Sequence, residues 1–143
     1  MPKIRKQFET ADDIETAFYD ALGRADLDAL MALWADDDDI VCVHPGGGRL
    51  IGHGSIRKAW EQIFEQGGVH IRPTQLHVAQ NVMTSVHNVI ENVHRPGDAP
   101  QDMHVLATNV YMKTPRGWRM VMHHVSVAPG EAPTETPLTN LLH

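Results

Sequence analysis

His44 closes a short apolar run, Ile40-Val41-Cys42-Val43, and is followed by Pro45 and three glycines, Gly46 to Gly48. An imidazole that is neutral near pH 7 is a competent general base, so proton transfer is the chemistry this residue offers. On a strand, Ile40, Cys42 and His44 share one face, and Val41 and Val43 share the other. A hydrogen-bonded structural histidine at a strand end would have the same surroundings. Cys42 is the single cysteine of the chain. Its place beside His44 makes a Cys–His nucleophilic pair conceivable, although buried cysteines are usually inert. His123-His124 is a second cluster. Neighbours on a strand face opposite ways, so only one of the two can look inward.

Ten histidines raise the question of a metal. The chain has no HExxH, no cysteine pair, and no acid at matched spacing near two histidines, so neither a metal nor a cofactor is expected. Asp36 to Asp39 lacks the spaced ligands and closing glutamate of a calcium loop and reads as a solvated loop. No Lys-Ser/Thr follows Gly46 to Gly48, which suits a tight hairpin better than a phosphate loop. Trp34, Trp60 and Phe64 lie at helical spacing on apolar faces. Together with Phe18 and Met122 they are either core or the apolar lining of a small-molecule site.

The elements that must hold these residues divide into helices first and strands second. A helix is predicted from Ala11 to Arg24, with Thr10 as N-cap, Asp12 and Asp13 at the positive end of its dipole, and Ile14, Ala17, Phe18, Ala21 and Leu22 on its apolar face. Asp26 caps a shorter helix with Leu27, Leu30, Met31 and Trp34 on one side. Gly54 or Ser55 opens a third, carrying Ile56, Ala59, Trp60, Ile63 and Phe64, which Gly67-Gly68 ends. Short strands are expected at Ile40–Val43 and Leu50-Ile51. Val69–Ile71 and Leu76–Ala79 flank Pro73, which marks an edge or a bulge. Long strands follow at 82–94, 103–113 and 118–127, joined by turns at Arg95–Asp98 and Thr114–Gly117, so their pairing should be antiparallel. Residues 129–143 read as a proline-containing tail.

A chain of 143 residues fits one domain, taken here as 1–128 plus the tail. The formal net charge of -6 argues against nucleic acid or an anionic membrane as partner. The basic N-terminus lacks an apolar stretch and is not read as a signal peptide. No run approaches membrane-spanning length, and a single cysteine is compatible with a reducing compartment, so a cytoplasmic location is expected.

The order from Ala25 to Trp60 resembles the front half of the nuclear transport factor 2-like superfamily, which includes ketosteroid isomerases and SnoaL-like polyketide cyclases. The resemblance extends over about residues 8 to 128. It implies an α+β fold in which three N-terminal helices pack on a curved, mostly antiparallel sheet to make a cone with an open mouth. It places His44 where the isomerases carry their base. It also places Phe18, which has no hydroxyl, where they carry a tyrosine, and Asn109 where they carry a protonated aspartic acid. It turns Met122, His124 and Ser126 into the cavity and His123 outward.

The candidate catalytic residues are therefore His44, Asn109 and His124, with Phe18, Trp34, Trp60, Phe64, Met122 and Ser126 as the ligand pocket. The expected function is a small-molecule pocket, with proton transfer of the isomerase or lyase/cyclase kind on a small apolar carbonyl or cyclic compound. The alternative is a ligand-binding or dimeric interaction domain without catalysis. Leu106, Val110, Val121, Val125 and Val127 would make the outer sheet face apolar and suit a homodimer.

Overall fold

In the computed structural model, residues 9–94 and 103–128 are described. The Arg95–Asp98 turn and the 129–143 tail lie outside them. The first helix, α1, spans Ala11–Arg24 as the sequence predicts. Thr10 and Asp13 form a capping box that satisfies donors at its N-terminus. Asp26 caps α2, Leu27–Met31, through the Ala29 N–H. The third helix, α3, is His53–Phe64. It begins ahead of the expected Gly54–Ser55 start because Gly52, at φ +88°, turns the chain there. The His53 ring, hydrogen-bonded to the Ala35 carbonyl at 2.7 Å, then holds the first turn.

The strands are β1 Val41–Val43, β2 Arg49–Ile51, β3 His70–Gln80, β4 Thr84–His94, β5 Met103–Thr114 and β6 Gly117–Val127. They form one sheet in the order β2-β1-β6-β5-β4-β3. All neighbours are antiparallel except β1 and β6, which run parallel. The fold is α+β: a curved, mostly antiparallel sheet wraps α1 to form a cone. β3 is the edge strand that Pro73 signalled, and its pairing shifts between Thr74 and His77.

A second irregularity matters more. In β6, Met122 pairs with Val110 but Met120 pairs with Tyr111, leaving Val121 as an extra residue. Side chains alternate strictly along a strand, so one inserted residue exchanges the two faces beyond it. Trp118 and Met120 are buried before the bulge, and His123 and Val125 after it.

The core lies between α1, α3 and the concave sheet face, around Ile14, Phe18, Leu22, Ile56, Trp60, Val89, Ala107 and Met120. The C-terminal end of α1 is tied to the start of β3 by the Val69 N–H, which donates to the Leu22 carbonyl at 2.8 Å. At this junction a Cβ on Gly68 would collide with the Gly23 carbonyl, a backbone atom that cannot move aside. Gly68→Ala is therefore expected to lower stability by about 1–3 kcal/mol, seen as a lower urea midpoint. Gly54→Ala, in α3, meets nothing within 4 Å and should leave the midpoint unchanged or raise it. Equal midpoints for Gly68→Ala and the parent chain would show that the junction yields.

Candidate functional site

His44 sits at the end of β1 with its ring edge-on to Trp60, the centroids 4.7 Å apart. It is half-buried, and desolvation holds its pKa below the ordinary histidine value. The imidazole is thus neutral, and a proton acceptor, at pH 7. Its Nε2 lies 3.7 Å from the Cys42 sulfur. Burial pushes the Cys42 thiol up to about 12, which disfavours the thiolate that a Cys–His nucleophilic pair uses. Trp60 belongs to an aromatic wall with Phe64 (5.9 Å), Phe18 (6.1 Å) and His123 (6.1 Å).

Behind this wall runs a buried hydrogen-bonded chain. His123 Nδ1 donates to Asn109 Oδ1 at 2.6 Å, and Asn109 Nδ2 donates to the Tyr19 hydroxyl at 3.0 Å. Tyr19 donates to Glu91 Oε2 at 2.7 Å. The chain crosses β6, β5, α1 and β4, and every donor points toward Glu91. Burial nevertheless raises the Glu91 carboxyl to about 7, against the lowering effect of the Tyr19 bond and with help from the Glu15 charge. Burial drives His123 the other way, down to about 3, aided by His44 and His124. Burial beside Glu91 also raises the Tyr19 phenol, so it stays protonated.

One turn earlier on α1, a second cluster is built the same way. Glu15 Oε2 accepts from His87 Nδ1 at 2.7 Å and from the Tyr111 hydroxyl at 2.8 Å. A cavity of about 760 Å³ opens at the other end of α1, bounded by Tyr19, Gly23, Ile71 and Val93. Tyr19 thus joins the buried chain to open space.

These placements rearrange the residues singled out from sequence. His44, Phe18, Trp60 and Phe64 gather on one wall. Asn109 is fully buried, with both ends of its amide engaged, so it orients Tyr19 and His123. His124 is exposed and His123 buried, the reverse of the expected arrangement. Met122 and Ser126 likewise leave the cone, because the Val121 bulge reverses the alternation that would have carried Trp118 and Met120 on to 122, 124 and 126. Val125 turns into the core for the same reason. Trp34 lies beyond the end of α2, bridges to Met120, and lines a separate cavity of about 360 Å³ with Arg116 and Arg119.

Sequence reasoning did not single out Tyr19, Glu15, Glu91, His87 or Tyr111 as site residues, and it turned His123 outward. Tyr19 supplies a buried hydroxyl from the residue after Phe18. A signal did exist: His87 and Glu91 stand in the same alternation as Val89 and Val93, so polar groups occupied the inward register of β4. Among the described residues, no group of three or more His, Cys, Asp or Glu is placed to hold a metal ion. Among the described residues, no helix is long and apolar enough to cross a membrane.

Residues 12–130 match the sequence profile of the SnoaL-like domain. The chain belongs to the SnoaL-like family. A solved structure from Thiobacillus denitrificans ATCC 25259, described as a proposed calcium/calmodulin-dependent protein kinase type II association domain, is 35% identical to it. That match covers 87% of this chain and 99% of the other, with a TM-score of 0.79. A proposed dehydratase of the NTF2-like family from Streptomyces avermitilis is 31% identical, covering 82% and 92% of the two chains at a TM-score of 0.74. An NTF2-like protein with a cystatin-like fold from Novosphingobium aromaticivorans shares the fold at 17% identity, with 84% and 80% covered and a TM-score of 0.69. The F-box protein SKIP8 of Arabidopsis thaliana is 28% identical over 117 residues, 80% of this chain. This SnoaL-like chain spans about half the length of that curated relative, 48%.

The carboxyl at the end of the buried chain leaves a signature in stability. The folded-state value of Glu91, about 7, lies above its ordinary 4.5, so between these values the folded chain binds the proton more tightly than the unfolded one. That contribution is fully present below 4.5 and is lost as pH rises through 7. His123 has the opposite sign. Its value of about 3 lies below 6.5, so it favours the folded state as pH rises across that span. Comparison with Glu91→Gln isolates the first effect. The unfolding free energy of the parent minus that of the variant should fall by on the order of 3 kcal/mol between pH 4.5 and 7. A flat difference would mean that Glu91 titrates as an ordinary carboxyl.

Proposed function

We propose that this SnoaL-like domain binds a small carbonyl or cyclic compound in the cone and moves a proton on it, with His44 as the base. The observation that carries this reading is a half-buried, neutral imidazole on an aromatic wall, backed by a phenol–carboxyl pair whose acid titrates near neutrality. His44 would take a proton from the carbon next to the carbonyl, leaving an enolate. Return of the proton to another carbon is isomerisation, and loss of a β-hydroxyl as water is a lyase reaction. The dehydratase description of the Streptomyces avermitilis relative supports the second outcome. Asn109 acts by holding Tyr19 and His123 in place, and His124 has no part in the interior.

Proton abstraction can be measured without knowing the natural substrate. Deuterium from solvent should enter the α-position of cyclic ketones such as 2-tetralone faster with this protein than with imidazole buffer alone. His44→Ala should reduce the excess rate by about 10²–10⁴-fold while keeping the fold. Unchanged exchange in His44→Ala would remove it as the base. No excess exchange in the parent chain would favour a binding module.

Self-association through the outer sheet face is a second proposal, supported by exposed apolar side chains on β5. Leu106 is 38% exposed and Met112 43%, and both stand in the outward register of that strand. The expected result is a dimer in light scattering that becomes a monomer in Leu106→Asp. A parent chain that is already monomeric at high concentration would exclude it.

A further inference from the structure

The cavity at the C-terminal half of α1 differs in charge from the rest of the molecule. The chain carries 18 acidic against 12 basic residues. The cavity wall instead brings Arg24, Arg72, His70 and His94 together with a single acid, Asp20. Arg24 Nε lies 2.9 Å from Asp20 and its Nη1 lies 3.0 Å from Asp26, so these charges compensate one another. Arg72 is exposed and, among the described residues, makes no ion pair. His70 faces the helix: its Nδ1 would be 3.5 Å from a Cβ built on Gly23. Tyr19, Gly23, Ile71 and Val93 supply an aromatic and apolar floor.

From this arrangement we propose that the cavity binds a small organic acid, its carboxylate at the Arg72–His70 rim and its apolar body on Tyr19 and Val93. This is a site separate from the His44 wall, at the other end of the interior, and it stands or falls independently of the proton-transfer reading above. The physical basis is threefold. A guanidinium without a fixed partner gives a carboxylate charge-assisted hydrogen bonds. A cavity of about 760 Å³ suits a small ligand. A local basic lip on an acidic protein draws anions to that place rather than elsewhere on the surface. The buried Glu91 carboxyl, reached through Tyr19, presents less than a full negative charge near neutral pH and so does not repel such a ligand strongly.

Calorimetric titration of the full chain at low ionic strength with phenylacetate and with its neutral counterpart phenylacetamide tests this. Phenylacetate should bind about tenfold more tightly, and Arg72→Gln should erase that preference. Gly23→Leu places a side chain in the cavity and should abolish binding of both compounds, with helix content checked by circular dichroism. Equal binding of acid and amide, both lost in Gly23→Leu, overturns the organic-acid assignment and leaves the small-molecule site standing. Binding that survives Gly23→Leu, or no binding of either compound up to about 10 mM, overturns the site as well.

Discussion

Glu15 and Tyr19 leave α1 one turn apart on the same side and enter the dry space between the helix and the concave sheet. A buried carboxyl or phenol without partners costs several kcal/mol, so each must find hydrogen-bonding groups at fixed positions on the strands. Glu15 finds His87 and Tyr111, and Tyr19 finds Glu91 and Asn109. These partners come from β4 and β5, and Asn109 passes the requirement on to His123 in β6. A slip of one residue in either strand pairing would turn the partners to the other face and strand both helix residues. The polar interior thus constrains where α1 lies and how three strands register, a demand that apolar contacts alone, being non-directional, do not make.

The bulge at Val121 reconciles this demand with the rest of β6. Trp118 and Met120 must face the core beside Trp34 and α2, yet the imidazole that meets Asn109 is an odd-numbered residue farther along. One extra residue lets both be true. It also brings β6 alongside β1 with His124 opposite Val43, next to the residue that ends the strand in His44. The same irregularity that completes the buried chain therefore helps to form the wall on which the candidate base stands.

The two ends of the interior differ in character. At one end, desolvation keeps His44 unprotonated beside Trp60. At the other, desolvation keeps a proton on Glu91 for part of the time near neutral pH, with Tyr19 between it and the cavity. One physical cause, the cost of burying charge, holds one group in its proton-accepting form and keeps the other partly in its proton-donating form. Phe18 contacts both Tyr19 and Trp60, so aromatic packing joins the two ends while each keeps its protonation state. A cone with a proton acceptor and a proton donor separated in this way is suited to several reactions, in keeping with a family defined by its fold rather than by one chemistry.

The helices, the strands and the family were legible in the sequence because they rest on local rules. Thr10 and Asp26 cap helices wherever such helices form, Pro73 disrupts any central strand, and the apolar spacing of Ile14, Phe18 and Leu22 has the period of a helix. His44 could be singled out because its signal, a strand end before Pro45 and a glycine turn, is contiguous. The members of the buried chain could not be, because Tyr19, Glu91, Asn109 and His123 become neighbours only when α1 is laid on the sheet. Which histidine of the 123–124 pair faces inward was likewise decided by tertiary structure. Alternation counted from Trp118 selects His124, and only the pairing of β6 with β5, where one extra residue is absorbed, turns His123 inward. Periodicity fixes faces as long as the strand is regular. The irregularity comes from what the neighbouring strand and helix require, and no residue within β6 records it.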